Sequence, residues 1–298
     1  MTKAGSITCA LLVVAALATA TTAAGQSANR TRVVDDDLMC ARAAHSTIQS
    51  ALDAAQPGDT IRVCAGTYIE EVFIRTPLTL VARPGAIVRG FIQVLADDVE
   101  IDGLVIDVLG NRPAGITVEV TQRTVIRNNT VFNGTNAGIE VFESDDTLVT
   151  NNTVHDNARE GVRLLEAFDA EVIDNVSDDN GGNGIAVFEG ANNLVRSNTV
   201  RRNLMNGINV CFDTRLNRVD RNTATGSGLA GIAICDGATD SAVTKNRAFN
   251  NQIDALDESV GTGTAGTDSL WRNNTCATSN PTGLCRVVRR VRSSSSSQ

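Results

Sequence analysis

Gly138-Ile139-Glu140-Val141, Gly161-Val162-Arg163-Leu164, Gly184-Ile185-Ala186-Val187 and Gly207-Ile208-Asn209-Val210 are four copies of one pattern. Working outward, Gly115 and Gly231 join the column, so the spacings run 23, 23, 23, 23 and 24, each glycine preceding a β-branched residue. A second column keeps step: Asn129, Asn152, Asn175, Asn198, Asn222 and Asn246, with Ile126, Val149, Val172, Val195, Val219 and Val243 three residues earlier. Apolar residues two apart, as in Ile139 and Val141, are strand periodicity with one face turned inward. A unit this short has no room for a helical pattern and lacks the Leu-rich consensus, which excludes helical and leucine-rich arrays. What remains is a parallel β-solenoid, each turn lying on the last at about 4.8 Å. Equivalent residues then form columns, and asparagines such as Asn152 and Asn175 are expected to bond amide to amide at a turn, relieving the cost of their burial. The glycosylation-like Asn151-Asn152-Thr153 arises from the same repeat.

The chain has 298 residues, 42% of them apolar and 20% charged, enough for a continuous core. A net charge of −8 argues against nucleic acid as a partner. Lys3 precedes an apolar stretch through Ala10 to Leu17, and Ala18-Thr19-Ala20 or Thr22-Ala23-Ala24 offers a cleavage site. Residues 1–25 therefore read as a signal peptide and 26–39 as a linker, which predicts a secreted or periplasmic protein. No stretch approaches the roughly 20 apolar residues of a membrane span, so no integral membrane association is expected. Cys9 falls in the leader and six cysteines remain. Cys40 and Cys64 are 24 apart, Cys211 and Cys235 are 24 apart, and Cys276 and Cys285 close a short loop. These three pairs are the expected disulfides. Cys211 and Cys235 each lie four past the repeat glycine, one above the other on adjacent turns, within bridging range.

A solenoid leaves strand edges open at both ends. Ser46-Thr47 can start a helix with Ile48, Ala51, Leu52 and Ala55 on one face, stopped by Pro57-Gly58, which would plug the N-terminal opening. The run from Ser46 to Ala55, then Pro57-Gly58-Asp59-Thr60-Ile61, Gly66-Thr67-Tyr68 and Glu70-Glu71, resembles the N-terminal cap of secreted right-handed parallel β-helix proteins. With the Gly-Ile and Asn-Thr repeats, the chain is similar to the pectin-lyase-like superfamily, including pectate lyases, polygalacturonases, alginate epimerases and NosD-like periplasmic proteins. The resemblance implies an all-β, single-stranded right-handed helix over residues 40–285, with an N-cap at 40–76 and a C-cap at 252–285. A basic and Ser-rich tail, 286–298, completes the chain and reads as a frayed end. The polygalacturonase pattern is not met, since Asn222-Thr223 runs into Ala224 and neither His45 nor His155 lies between glycines. The epimerase Asp-Pro-His-Asp is reduced to His155-Asp156. If the protein is an enzyme, lyase or epimerase chemistry is favoured over glycoside hydrolysis.

Three and four positions past the column asparagine, successive turns carry His155-Asp156, Asp178-Asp179 and Arg201-Arg202. A lyase or epimerase acting on an acidic glycan needs a base for the proton α to a uronate carboxyl and cations to offset the sugar's charge. His155, Asp178 and Arg201 are the candidate catalytic residues, with His155 or Arg201 as base. Asp156, Asp179 and Arg202 are the candidate substrate-binding residues, the aspartates also being eligible metal ligands. A solvated, self-compensating turn is the competing reading, and with it a non-catalytic structural or surface-binding β-helix. Five past the glycine stand Glu143, Glu166 and Glu189, whose mutual repulsion a Ca²⁺ ion would relieve. No cofactor is otherwise required. Glu140 and Arg163 read as a weak cross-turn ion pair, and Phe142, Leu165 and Phe188 as core or corner packing. A monomer associating with polysaccharide is the expectation.

Overall fold

The structure, a computed structural model, describes residues 29–109 and 114–288. The stretch read as a signal peptide (residues 1–25), most of the Ser-rich tail and the first residues of the stretch read as linker lie outside them. The described chain winds as a right-handed solenoid whose turns lay down three parallel sheets of 12, 11 and 10 strands. Sheet A holds the strands before the asparagine column, such as Leu148–Thr150. Sheet B holds those after it, such as Thr153–His155, and sheet C those after the repeat glycine, such as Val162–Phe168. Adjacent turns pair in the register that the columns demand: Ile116 on Ile139, Val162 on Ile185, Ile208 on Ile232.

The repeat glycines answer a close approach. A Cβ on Gly138 would stand 2.3 Å from Val154 Cγ1 and 2.9 Å from the Gly161 carbonyl, leaving no room for a side chain. Inside the coil, one cluster of buried, mostly aliphatic residues runs from Val34 to Leu284. From Gly85 onward the A-to-B corners turn on a single left-handed residue, such as Asn128, Asn151 or Asp174 (φ 57°, 55° and 56°), types that tolerate this region well.

The asparagine next along the chain bonds as expected. Asn152 Nδ2 donates to Asn175 Oδ1 at 3.0 Å, and the Asn152 backbone N–H donates to the same oxygen at 2.9 Å. The series continues through Asn198, Asn222 and Asn246 to Asn274. The sequence reading stopped at one ladder, but the structure has more. Asn157, Asn180 and Asn203 form a second at the B-to-C corner, and Asn193 and Asn217 another at the C-to-A corner. Each asparagine satisfies corner groups that no strand can reach.

Helix α1 (Ile48–Asp53) buries Ile48, Ala51 and Leu52. The Thr47 hydroxyl accepts from Ser50 N–H, and the Glu70 carboxylate accepts from the N–H groups of Ile48 and Gln49 at 2.8 and 2.9 Å. The coil starts earlier than residue 40: Thr31–Val34, inside the stretch read as linker, pairs with Thr60–Val63 in sheet A. Its Arg30 N–H and Arg32 guanidinium bond the Asp59 carboxylate, which fixes the register. At the other end Ile253–Asp257 and Leu270–Arg272 continue sheets C and A. Cys40–Cys64, Cys211–Cys235 and Cys276–Cys285 are bonded, with Cα separations of 6.5, 4.9 and 5.9 Å. Among the described residues no helix is long and apolar enough to cross a membrane.

Candidate functional site

The last residues of the sheet B strands stack in one outward row: Phe132 on His155, His155 on Asp178, Asp178 on Arg201, Arg201 on Thr225. The predicted patch is therefore contiguous. The strands end here because Asp156, Asp179 and Arg202 each take a left-handed conformation (φ 53°, 54° and 51°) that turns the chain toward sheet C.

His155 stacks flat on Phe132, with centroids 5.2 Å apart and planes 3° off parallel. Its Nδ1 lies 2.7 Å from an Asp156 carboxylate oxygen, a spacing that suits Nδ1–H donating to the carboxylate, which in the neutral ring places the lone pair on Nε2. Asp178 is buried and accepts from Arg201 Nε at 2.9 and 3.0 Å, with a further bond from the guanidinium. Arg202 reaches Asp179 at 2.8 and 2.6 Å in a two-bond fork and approaches Asp178 at 3.7 Å. Asp178's hydrogen bond raises Arg201 above its ordinary value, so Arg201 is a fixed positive charge. The Arg202 guanidinium in turn holds the Asp179 carboxyl below the usual carboxylate range. Two aspartates are thus matched by two arginines, and His155 with Asp156 stands beside them.

Glu143, Glu166 and Glu189 are exposed, at left-handed corners (φ 45°, 52° and 48°) on successive turns. Glu143 and Glu189 are two turns apart, about 10 Å along the rod. Among the described residues the three potential metal-ligand side chains whose donor atoms lie within 4.8 Å of one another are instead Asp35, Asp36 and Asp37, at the N-terminal end.

The sequence reading missed a groove on the outer face of sheet C. Thr117, Glu140 and Arg163 succeed Gln93 along its floor in strict register. A hollow of about 470 Å³ is lined there by Phe91, Gln93, Thr117, Glu119, Glu140, Phe142 and Leu165. Phe142 and Leu165 are half-buried wall residues, not core, because the inward positions are taken by Val141 and Leu164. Glu140 is 7% exposed and accepts from Arg163 Nε at 2.9 Å, with Glu160 3.6 Å from the same guanidinium. This is a desolvated ion pair rather than the weak surface pair its spacing suggested, and removing one partner would strand a charge. The signal was present in the position two past the repeat glycine, where Thr117, Glu140, Arg163 and Asn209 are polar while the flanking positions are apolar.

A family model described as "Right handed beta helix region" matches residues 114–280, more than half of the chain. Among solved structures, pectate lyase Pel9A is similar at 14% identity and a TM-score of 0.64, over 89% of this chain and 80% of that one. The A-module of mannuronan C-5 epimerase AlgE4 from Azotobacter vinelandii is similar at 18% identity and 0.57, over 78% and 83%. DFA-IIIase from Arthrobacter chlorophenolicus A6 is similar at 12% and 0.59, over 76% and 70%. At such identities the likeness is one of fold. No curated protein sequence matches the chain.

Proposed function

The chain belongs to the right-handed beta helix family, and on that premise we propose that it associates with a polysaccharide lying along the rod. The observation that carries this reading is the groove on sheet C, whose stacked turns present equivalent polar side chains at a regular interval of about 4.8 Å, suited to a polymer of repeating units. Similarity in fold to a pectate lyase and a mannuronan epimerase supports it.

The finer form of the proposal is an acidic glycan modified without hydrolysis at the patch on sheet B, a face of the rod separate from the groove on sheet C. His155 Nε2 takes the proton from the carbon α to a uronate carboxyl, while the Arg201 and Arg202 guanidinia offset the charge that develops on that carboxylate. Asp178 and Asp179 position those guanidinia, and Asp156 orients the imidazole. A proton delivered from water to the opposite face gives the epimer; departure of the glycosidic oxygen from the β carbon, protonated by the His155 imidazolium or by water, gives an unsaturated product. Ca²⁺ enters only as a bridge between neighbouring glutamates, such as Glu143 and Glu166, and a sugar carboxylate. A non-catalytic rod is the second reading, favoured by the mutual neutralisation of Asp178 and Asp179 by Arg201 and Arg202. The three disulfides support an oxidised, exported protein; that residues 1–25 direct it, that it acts as a monomer and that α1 shields the first coil belong to the same proposal.

The test is an NMR spectrum of a panel of uronate polysaccharides before and after incubation with the protein and Ca²⁺. New unsaturated or epimerised signals establish turnover. Broadening alone establishes binding without chemistry, and an unchanged spectrum overturns the acidic-glycan assignment.

A further inference from the structure

Along the A-to-B corner, the C-terminal half of the rod carries one cation on each of four successive turns: Arg196, Arg221, Lys245 and Arg272. Arg196, Asp220, Thr244 and Arg272 stack in register in sheet A, and Arg221 and Lys245 follow Asp220 and Thr244 at left-handed corner positions (φ 56° and 58°). At about 4.8 Å per turn the row spans about 14 Å. Several stacked arginines elsewhere close on a carboxylate of the preceding turn: Arg127 on Glu100 and Asp102 at this same corner, Arg163 on Glu140, Arg201 on Asp178. In the row that pairing fails. Directly below Arg196 stands Ile173, below Arg272 stands Thr244, and below Lys245 stands a second cation, Arg221. The one carboxylate in the row, Asp220, is fully buried and already saturated: it accepts from the Thr244 hydroxyl at 2.5 Å and from Arg221 at 2.7 Å, with Arg218 3.5 Å away. Arg196, Lys245 and Arg272 form no ion pair among the described residues, and neither do Glu171 and Asp174, exposed on the turn below Arg196.

We propose that this row is a docking site for a polyanionic polysaccharide, bearing carboxylate or sulfate groups and laid along the rod with its anions against successive turns. Like charges stacked one turn apart repel, and an anion seated between them removes that cost. With Arg218, five cations here face one buried carboxylate, on a chain whose net charge is −8, so the excess is local and opposite in sign to the rest of the rod. The cations stand in single file along an edge, which suits a linear chain better than the broad surface of a membrane. No aromatic side chain stands in the row, whereas single-stranded nucleic acid is held by stacking its bases on aromatic residues. The row is separate from the sheet C groove and from the His155 patch, and it holds the polymer without reacting with it. It rests on the polysaccharide reading above only for the kind of polymer.

Lys245 reports on the row directly, because the chain has one other lysine, Lys3. Reductive methylation with carbon-13 keeps the charge and gives the Lys245 amine an NMR signal, assigned by its loss in Lys245→Arg. Dextran sulfate and polygalacturonate are each expected to shift that signal, and uncharged dextran to leave it in place. Arg196→Glu and Arg272→Glu should each weaken binding about tenfold, Arg272→Gln by less, and raising NaCl from about 50 to 500 mM should weaken it further. Circular dichroism checks that these surface variants keep the fold. A Lys245 signal that does not move, an equal shift with uncharged dextran, or full affinity in the doubly reversed variant overturns the proposal. Single-stranded DNA that binds the row more tightly than either glycan also overturns it, and assigns the row to nucleic acid. Binding of dextran sulfate without polygalacturonate supports the row and overturns the uronate assignment of the His155 patch. A Lys245 shift by polygalacturonate without turnover supports the row and bears only on the chemistry proposed for that patch.

Discussion

Replacing Asn175 by alanine tests whether the coil is held at its corners as well as through its core. Asn175 is 1% exposed. Its Oδ1 accepts from the Asn152 N–H at 2.9 Å and Asn152 Nδ2 at 3.0 Å, and its Nδ2 donates to the Val149 and Ile173 carbonyls and to Asn198 Oδ1. Alanine removes all five contacts unequally. Asn152 Nδ2 keeps the Ile126 and Thr150 carbonyls, the Ile173 carbonyl keeps the Asn151 N–H, and Asn198 Oδ1 keeps the Asn175 N–H. The Asn152 N–H, however, loses its acceptor in a site without solvent. One orphaned buried donor at about 1–3 kcal/mol, with the lost bonds to carbonyls, sums to a destabilisation of about 2–4 kcal/mol. Urea unfolding followed by circular dichroism measures this against Thr153→Ala, an exposed change on the next strand expected within about 0.5 kcal/mol of the parent. Because turns couple chiefly to their neighbours, hydrogen exchange at Asn152 and Asn198 should accelerate more than at Asn246. A loss no larger than that of Thr153→Ala would refute the reasoning.

Arg201→Ala and Asp178→Ala should each abolish any sugar modification; Asp178→Ala should shift the unfolding midpoint little, because the arginines it leaves are about half exposed, whereas Arg201→Ala leaves the buried Asp178 carboxylate only the 3.7 Å contact with Arg202 and should lower the midpoint more. Full activity in both variants would remove His155, Asp178 and Arg201 from the catalytic assignment. For Asp59, burial raises the carboxyl, but the N–H groups of Arg30 and Gln56 and the Arg32 guanidinium outweigh it and hold the folded value below the usual 3.8. The stability it contributes is present above its unfolded value and is lost as pH falls through the lowered folded one, so urea midpoints from about pH 6 down to pH 2 should fall more steeply for the parent than for Asp59→Asn. Non-reducing mass analysis should find no free thiol among Cys40, Cys64, Cys211, Cys235, Cys276 and Cys285, and alkylation of Cys211 or Cys235 without reduction would contradict the stacked-column pairing. Cys211→Ser with Cys235→Ser should cost about 3 kcal/mol, the closure entropy of a 24-residue loop.

The periodic columns of Gly138, Asn152 and their equivalents determined the fold by themselves, because in a solenoid one local rule applied every 23 residues is also the tertiary rule. Register, the Asn152–Asn175 ladder, the Cys211–Cys235 bridge and the contiguity of His155, Asp178 and Arg201 all come from counting. What counting could not supply is which side chains are desolvated and which find partners. Glu140 and Arg163 look like any cross-turn pair in the sequence, yet the walls of the sheet C groove strip them of water. Asp178 and Arg201 are neighbours by arithmetic, but only the side-chain geometry shows the guanidinium locked on the carboxylate, which holds it as a cation. Thr31–Val34 carries no repeat mark, and its strand is held by Asp59, nearly thirty residues on, which accepts the N–H of Arg30 just before the strand and the Arg32 guanidinium within it. Periodicity encodes the path of the chain; burial and pairing depend on distances between residues that share no period, and those the tertiary structure alone decides.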